Sequence, residues 1–157
     1  KVNLCKQHGA DEGFVYPTGK LDRDQQKELS AKIKELTGGM GANVVYDPVG
    51  NSYSEPCIRA TAWDGRYLVI GFAAGEIPKI PINLALLKGM KIVGVFWGAW
   101  VGMNPAENKK NFEELFKLHS EGKINPEVSD SFSLDDGSKA IAHLKDRKAK
   151  GKVIITM

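Results

Sequence analysis

The stretch GRYLVIGFAAG, residues Gly65–Gly75, decides the fold of this chain. Tyr67–Ile70 is an uninterrupted apolar run, typical of a strand buried on both faces in a parallel sheet that helices cover. Gly71 and Gly75 follow it, at the strand end where open α/β sheets bind ligands, and glycines let a ligand approach the backbone closely. A strand followed by an ordinary glycine-rich turn is the alternative that this stretch alone leaves open.

Composition bounds the class of protein. The chain has 157 residues and a net charge of +3, with 22 basic and 19 acidic residues. That charge is too mild and too mixed to predict a nucleic-acid or membrane-surface partner. No apolar run approaches the ~20 residues of a membrane-spanning helix. Cys5 and Cys57 lie far apart without neighbouring ligand residues, so no zinc ribbon or redox pair is expected; reduced thiols are favoured, and a disulfide stays open.

Two further apolar strands end in loops of the same kind. Val44–Tyr46 leads into Asp47–Gly50, and Lys91–Phe96 leads into a loop that contains Trp97 and Gly98. Because crossovers between parallel strands are right-handed, the three strand ends should lie along one edge of the sheet. A crevice of backbone, small side chains and aromatic rings suits a flat heteroaromatic ring and a ribose better than a metal or a peptide.

Helices and minor strands complete the predicted order. Helices are predicted at 1–8, 22–37, 54–63, 84–88, 104–122 and 133–148. Asp22 or Asp24 would cap the second helix, and Ser133 with Asp136 forms a predicted capping box for the last. Short strands are predicted at 14–16, 128–132 and 152–156. Strands that alternate with helices indicate a doubly wound parallel sheet.

Five segments in series carry a family resemblance. They are HGADEGFVYP (8–17), GANVVYDPVG (41–50), GRYLVIGFAAG (65–75), INLALLKGMKIVGVFWG (82–98) and GKVIITM (151–157). In this order and spacing they resemble the medium-chain dehydrogenase/reductase superfamily, and within it the zinc-free quinone oxidoreductase branch related to ζ-crystallin. The resemblance implies an α/β fold. Residues 1–122 would be the C-terminal part of a doubly wound Rossmann-type parallel sheet, and 123–157 a short α+β segment returning to a GroES-like catalytic domain.

The resemblance also implies an activity, which is hydride transfer from NADPH to a quinone or another conjugated carbonyl. Such an enzyme needs no zinc and no dedicated nucleophile, because the cofactor carries the difficult step. The implied cofactor contacts are Asp47, Pro48 and Val49 beside the ribose and pyrophosphate, Gly71, Phe72, Ala73, Phe96, Trp97 and Gly98 around the nicotinamide, and Arg147 from the catalytic domain. A 2-enoyl thioester reductase of the same superfamily and a non-catalytic dimerisation and partial nucleotide-binding fragment stay open as alternatives.

Members of this family are longer than the chain, which resembles their C-terminal half. The glycine-rich phosphate loop, the first two strands and the residues that select NADP over NAD would lie upstream, so the compartment, cytoplasmic or mitochondrial, is undetermined. Phe14–Tyr16 and Val44–Tyr46 would be separated by a two-strand gap, which leaves a sheet edge open to association. At the other edge, Lys91–Phe96 would pair with its two-fold mate in a homodimer; a local loop over that edge is the alternative.

Overall fold

A computed structural model describes all 157 residues, which form two compact units. The central unit comprises residues 14–100, and the terminal unit comprises 1–13 with 101–157. Elements that begin in the central unit are α2 (Arg23–Leu36), β1 (Ala42–Asp47), a 3-10 turn (Asn51–Tyr53), α3 (Ser54–Arg59), β2 (Thr61–Val69), α4 (Asn83–Lys88), β3 (Lys91–Gly94) and α5 (Trp97–Met103). Those of the terminal unit are α1 (Val2–Gln7), α6 (Pro105–Ser120), β4 (Val128–Ser133), a 3-10 turn (Leu134–Asp136), α7 (Gly137–Lys145) and β5 (Lys152–Thr156). The domain boundary expected at residue 122 stays a prediction.

The central unit is built on a parallel sheet in the order β1-β2-β3, which confirms the predicted α/β class. Val45 lies opposite Tyr67, and Tyr67 lies opposite Ile92. Tyr67 is buried with Ile58 of α3 and with Leu84 and Met90 of the α4 region. The two crossover helices therefore pack on one face of the sheet, as right-handed crossovers between adjacent strands require.

The other face of this sheet is open, so the prediction of strands buried on both faces is wrong. Val44 and Tyr46 of β1 are 46% and 67% exposed, and Val93 of β3 is 37% exposed. Side chains alternate between the two faces of a strand, so these residues point away from the Tyr67 core. With α3 and α4 on the same side, the unit supplies no crossover helix for the opposite face.

A second core lies beside helix α2. Leu21, Leu29 and Tyr53 are buried together there. Asp22 caps α2: its Oδ1 accepts from the amides of Asp24 and Gln25, each at 2.9 Å, and the Gln25 side chain accepts from the Asp22 amide at 3.0 Å. This reciprocal capping box confirms Asp22 as the cap and fixes where the helix begins.

The predicted strand Phe14–Tyr16 is wrong, because this segment is irregular. A strand needs a neighbour for its backbone donors and acceptors, and no strand pairs with this segment. Tyr53 holds the following residues instead: its hydroxyl lies 2.9 Å from the Pro17 carbonyl oxygen and 2.7 Å from that of Gly19. β1 lies at the edge of the three-stranded sheet, so the predicted open edge is present.

The helix predicted to reach Trp63 ends at Arg59, and Trp63 lies in β2. Ala42 pairs with Thr61 but Val44 pairs with Arg66, so β2 carries extra residues between these two positions. Asp64 adopts a left-handed φ of 55° there, a conformation that a continuing helix could not contain. The bulge, not a longer helix, connects α3 to the regular part of β2.

In the terminal unit, β4 and β5 form a parallel pair. The predicted capping box at Ser133 is wrong: Ser133 makes no side-chain capping bond, and the 3-10 turn precedes α7. Asp136 instead pairs with Lys139 at 2.7 Å. The predicted helix with Pro105 in its first turn is confirmed as α6. Among all the helices, none combines the length and the apolar character that crossing a membrane requires.

Candidate functional site

The carboxyl ends of three strands share one edge of the central sheet. β1, β2 and β3 run parallel, so their carboxyl ends at Asp47, Val69 and Gly94 lie along the same side. We call Asp47–Gly50 the first loop, Gly71–Gly75 the second loop, and Val95–Gly98 the third strand end. In open α/β sheets this edge is where ligands bind.

The first and second loops are joined by their backbones. The Ile70 amide donates to the Asp47 carbonyl oxygen at 3.0 Å, the Ala73 amide to Pro48 at 3.0 Å, and the Ala74 amide to Val49 at 2.9 Å. These bonds continue the β1–β2 pairing beyond the ends of both strands. The two loops therefore form one hydrogen-bonded structure.

The Asp47 carboxylate lies inside that structure. Asp47 is 7% exposed, and its Oδ1 accepts from the amides of Val49 at 2.8 Å and Gly50 at 3.0 Å. Its Oδ2 accepts from the Ser54 hydroxyl at 2.9 Å and from the Tyr67 hydroxyl. The resemblance placed Asp47 beside a cofactor ribose, but the structure directs this carboxylate to four donors of its own chain.

The surroundings of Asp47 raise the pKa values of two neighbouring acidic groups. Burial, together with the hydrogen bond to Asp47, raises the pKa of the Tyr67 phenol above its ordinary value. Burial, and then the negative charge of Asp47, raises the pKa of the Cys57 thiol from 9.0 to about 12. Both groups are therefore neutral at physiological pH, and Cys57 is an unreactive thiol rather than a nucleophile. Both cysteines of the chain are free.

Gly50 and Phe72 fit closely against each other. Gly50 has φ 72° and ψ −150°, a backbone region that essentially only glycine adopts. A Cβ at this position would lie 2.8 Å from Cδ1 of the Phe72 ring and 3.2 Å from the Phe72 Cα. The absence of a side chain at Gly50 is what lets the second loop pack over the first.

The third strand end is held differently, and its predicted loop is wrong. The Val95 amide donates to the Val69 carbonyl oxygen at 3.0 Å, and the Trp100 amide donates to Phe96 at 3.1 Å. This second bond closes the first turn of α5, so Trp97 and Gly98 are helical. Phe96 and Trp97 are 79% and 58% exposed. The structure thus leaves two aromatic rings exposed where the third strand ends.

The residues implied as cofactor contacts divide between the two units. Those at the edge of the central sheet are Asp47, Pro48, Val49, Gly71, Phe72, Ala73, Phe96, Trp97 and Gly98. Arg147 belongs to the terminal unit, where it has a left-handed φ of 57° between α7 and β5. Sequence reasoning missed Ser54 and Tyr67 as partners of Asp47. The available signal was a hydroxyl-bearing tyrosine at the buried position of an apolar strand.

The second loop offers a backbone that a flat ligand can approach. A Cβ added at Gly75 would meet nothing within 4 Å, and one added at Gly71 would meet only the Pro48 carbonyl oxygen at 3.6 Å. Without a side chain at either glycine, a ligand can approach the loop backbone closely. For a metal ion the outcome is different, because no group of three or more His, Cys, Asp or Glu side chains is placed to hold one.

The parallel sheet and its glycine-bearing loops define a Rossmann-type nucleotide-binding segment. A family model described as zinc-binding dehydrogenase matches residues 8–155. The chain belongs to the medium-chain dehydrogenase/reductase superfamily, in its quinone oxidoreductase-like branch.

Similar proteins of known sequence support this placement. A quinone oxidoreductase-like protein 2 homolog from Nematostella vectensis is 37% identical over 83% of the chain and 36% of its own length. The Bos taurus quinone oxidoreductase-like protein 2 is 34% identical over 100% of the chain and 43% of its own length. An acryloyl-coenzyme A reductase from Sulfurisphaera tokodaii is 28% identical over 82% of the chain and 34% of its length. The chain spans less than half the length of these relatives.

Solved structures agree on the fold. An NAD-dependent alcohol dehydrogenase is 28% identical over 100% of the chain and 41% of its own length, with a TM-score of 0.77. A mycobacterial protein solved in complex with NADPH matches 99% of the chain and 45% of its own length, with a TM-score of 0.81. Its identity of 23% supports the fold alone.

Proposed function

We propose that this chain forms the cofactor side of an enzyme that transfers a hydride from NADPH to a quinone or a similar conjugated carbonyl. The observation that carries the proposal is the joined first and second loops, with open backbone at Gly71 and Gly75 and exposed rings at Phe96 and Trp97. NADPH, when bound, would supply the hydride. The chain's own task would be to hold the nicotinamide against the second loop and to orient it.

Each implied contact has a defined part in this proposal. The second loop, through the backbone of Gly71, Phe72 and Ala73, would support one side of the nicotinamide and its ribose. Phe96, Trp97 and Gly98 would flank the ring. Pro48 and Val49 would border the ribose and pyrophosphate. Arg147 is the remaining residue that the resemblance implies as a cofactor contact.

NADPH binding is tested by quenching of tryptophan fluorescence. The chain has three tryptophans. Trp63 lies within the bulge of β2, between Thr61 and Arg66 and away from the carboxyl end of the strand, so Trp63→Phe removes a signal from outside the site. Trp97 and Trp100, in α5, then report on the third strand end. We expect saturable quenching by NADPH in a protein of the relatives' full length that carries this chain. Quenching by NADH but not by NADPH would overturn the choice of cofactor.

Measurements on the isolated chain distinguish the cofactor side of an enzyme from a non-catalytic fragment. Without a phosphate loop to contribute affinity, residues 1–157 alone should bind NADPH weakly and reduce no quinone. Tight saturable binding by the isolated chain would contradict this expectation. Activity in neither protein would favour the non-catalytic dimerisation and nucleotide-binding role.

A 2-enoyl thioester reductase is the second candidate, and the acryloyl-coenzyme A reductases among the similar proteins favour it. Both reactions deliver a hydride to a carbon conjugated with a carbonyl, so the cofactor side serves either. Oxidation of NADPH measured with a quinone and with acryloyl-coenzyme A, at matched concentrations, distinguishes them. We expect the higher kcat/KM with the quinone.

A further inference from the structure

We propose that Asp47 is a positioning residue for cofactor binding, because its carboxylate sets the second loop through the first. This inference rests on the proposed function, since it names how the cofactor support is built. It differs from the role that the family resemblance implies for Asp47, which is a cofactor contact beside the ribose and pyrophosphate.

A buried carboxylate with uncharged donors calls for an explanation. Taking an anion out of water costs several kcal/mol, and neutral donors offset that cost only when all of them are well placed. The four donors to Asp47 are the amides of Val49 and Gly50 and the hydroxyls of Ser54 and Tyr67. Burying an apolar residue there would carry no desolvation penalty, but it would leave the two loop amides without this acceptor.

The two carboxylate oxygens face different parts of the structure. Oδ2 bonds to Ser54 at the start of α3 and to Tyr67 in the core of the sheet. Oδ1 bonds to the two amides of the first loop. Asp47 therefore ties the turn of the first loop to the rigid core.

The first loop transmits this constraint to the second. The carbonyl oxygens of Pro48 and Val49 accept from the amides of Ala73 and Ala74 at 3.0 and 2.9 Å. If the Val49 and Gly50 amides lose their acceptor, the carbonyls on the same two peptides can turn, and the second loop loses its support. A small displacement of a positioning surface is costly in this kind of site.

Three variants distinguish a positioning role of Asp47 from a role in protein stability alone. They are made in a protein of the relatives' full length that carries this chain. Asp47→Ala removes the acceptor of both loop amides. Asp47→Asn retains one oxygen for them, while its amide group donates to the Ser54 and Tyr67 hydroxyls, which can rotate and accept. Tyr67→Phe removes one bond to the same carboxylate on the core side only. Thermal unfolding, NADPH affinity and steady-state kinetics are measured for each.

We expect Asp47→Ala to raise the Kd and KM for NADPH by at least about tenfold, with the KM for the quinone unchanged. The Kd and KM for NADPH of Asp47→Asn should stay within about threefold of those of the unaltered enzyme. Tyr67→Phe should lower the unfolding temperature, while its Kd for NADPH also stays within about threefold of the unaltered value. A folded Asp47→Ala enzyme with normal NADPH affinity overturns the proposal. So does a Tyr67→Phe enzyme that loses as much affinity as Asp47→Ala.

Hydrogen exchange of the cofactor-free protein gives an independent answer. The Ala73 and Ala74 amides should exchange at least about tenfold faster in Asp47→Ala and at the normal rate in Asp47→Asn. If Asp47→Ala does not fold, loss of protection in Asp47→Asn overturns the proposal. If the unaltered protein binds no nicotinamide cofactor, the proposed function fails, while exchange at Ala73 and Ala74 still decides whether Asp47 holds the second loop.

Discussion

The first two loops and the third strand end lie at the same edge of one sheet, but they are held in different ways. The first loop has a carboxylate in its turn, and its carbonyl oxygens accept four backbone hydrogen bonds from the residues that follow β2. The third strand end has one backbone hydrogen bond to β2, from the Val95 amide to the Val69 carbonyl oxygen, and then enters helix α5. One part of the edge is thus fixed by close local bonding, and the other by the element that follows it.

This difference separates preformed from adjustable parts of the site. Bonds that satisfy each other within two adjacent loops persist without a ligand, so the first and second loops should present the same surface with and without cofactor. The exposed rings of Phe96 and Trp97 have few neighbours to restrain them. Their positions should therefore respond to a ligand or to a partner at the β3 edge.

The largest expected effect is the protection of Cys57, which lies in α3 behind the tightly bonded loops. Its pKa of about 12 lowers the thiolate fraction at pH 8 by roughly a thousandfold compared with an ordinary thiol. Alkylation followed by mass spectrometry should modify the exposed Cys5 promptly and Cys57 only on unfolding. A Cys5→Ser variant is the control for assignment. Comparable rates at the two cysteines would show that the region around Asp47 opens readily.

The raised pKa of the Cys57 thiol also makes the free energy of unfolding decrease at high pH. The folded pKa is raised above the unfolded value, so the folded state keeps the proton more tightly. This contribution is complete below about pH 9 and is lost as the pH rises towards 12. Urea unfolding of Cys57→Ala should therefore show a smaller loss of stability over that interval than the unaltered chain. An identical pH profile would contradict the assignment.

Gly50→Ala should have the next largest effect. The new methyl group meets Phe72 at 2.8 Å, and the backbone lies in a region reserved for glycine. Strain and overpacking together should cost about 2–4 kcal/mol of unfolding free energy, measured by urea denaturation. Gly75→Ala is the matched control: it has a left-handed φ of 95° but open space, so it should cost only about 1–2 kcal/mol. Equal losses would mean that the contact with Phe72 contributes nothing.

The contrast between the joined loops and the third strand end also explains which features of this edge the sequence predicts. Apolar runs followed by glycine are local signals, and they located the ends of β1 and β2 to within one residue. The predicted strand Lys91–Phe96 ends two residues earlier, at Gly94. The strand at Phe14–Tyr16 failed because pairing depends on a neighbour that local sequence does not specify. The inward direction of Asp47 depends on Ser54 and Tyr67, which are distant in sequence. Helix α5 was missed because Gly98 and Gly102 lower helix propensity in its run.

A homodimer through β3, which the family resemblance implies, would order the third strand end. The Val95 amide faces β2, so by alternation along the strand the amides of Ile92 and Gly94 face outward. Pairing with a second copy should slow their hydrogen exchange by about tenfold as protein concentration rises and the dimer fills. The Val93 amide, which faces β2, is the internal control and should not depend on concentration. Hydrogen-exchange rates at Ile92 and Gly94 that do not change with protein concentration would contradict pairing at this edge.

Gly98→Ala should have the smallest effect of these changes, although Gly98 also lies beside an aromatic ring at the same edge. An added Cβ would lie 3.7 Å from Cε2 of Phe96, an ordinary contact, and the position is in the first turn of α5. Alanine in a helix is favoured over glycine by up to about 1 kcal/mol, so the urea midpoint should stay the same or rise slightly. A loss larger than about 1 kcal/mol would mean that residue 98 is not helical in solution. The third strand end would then be a glycine-dependent loop like the other two, and the contrast between them would disappear.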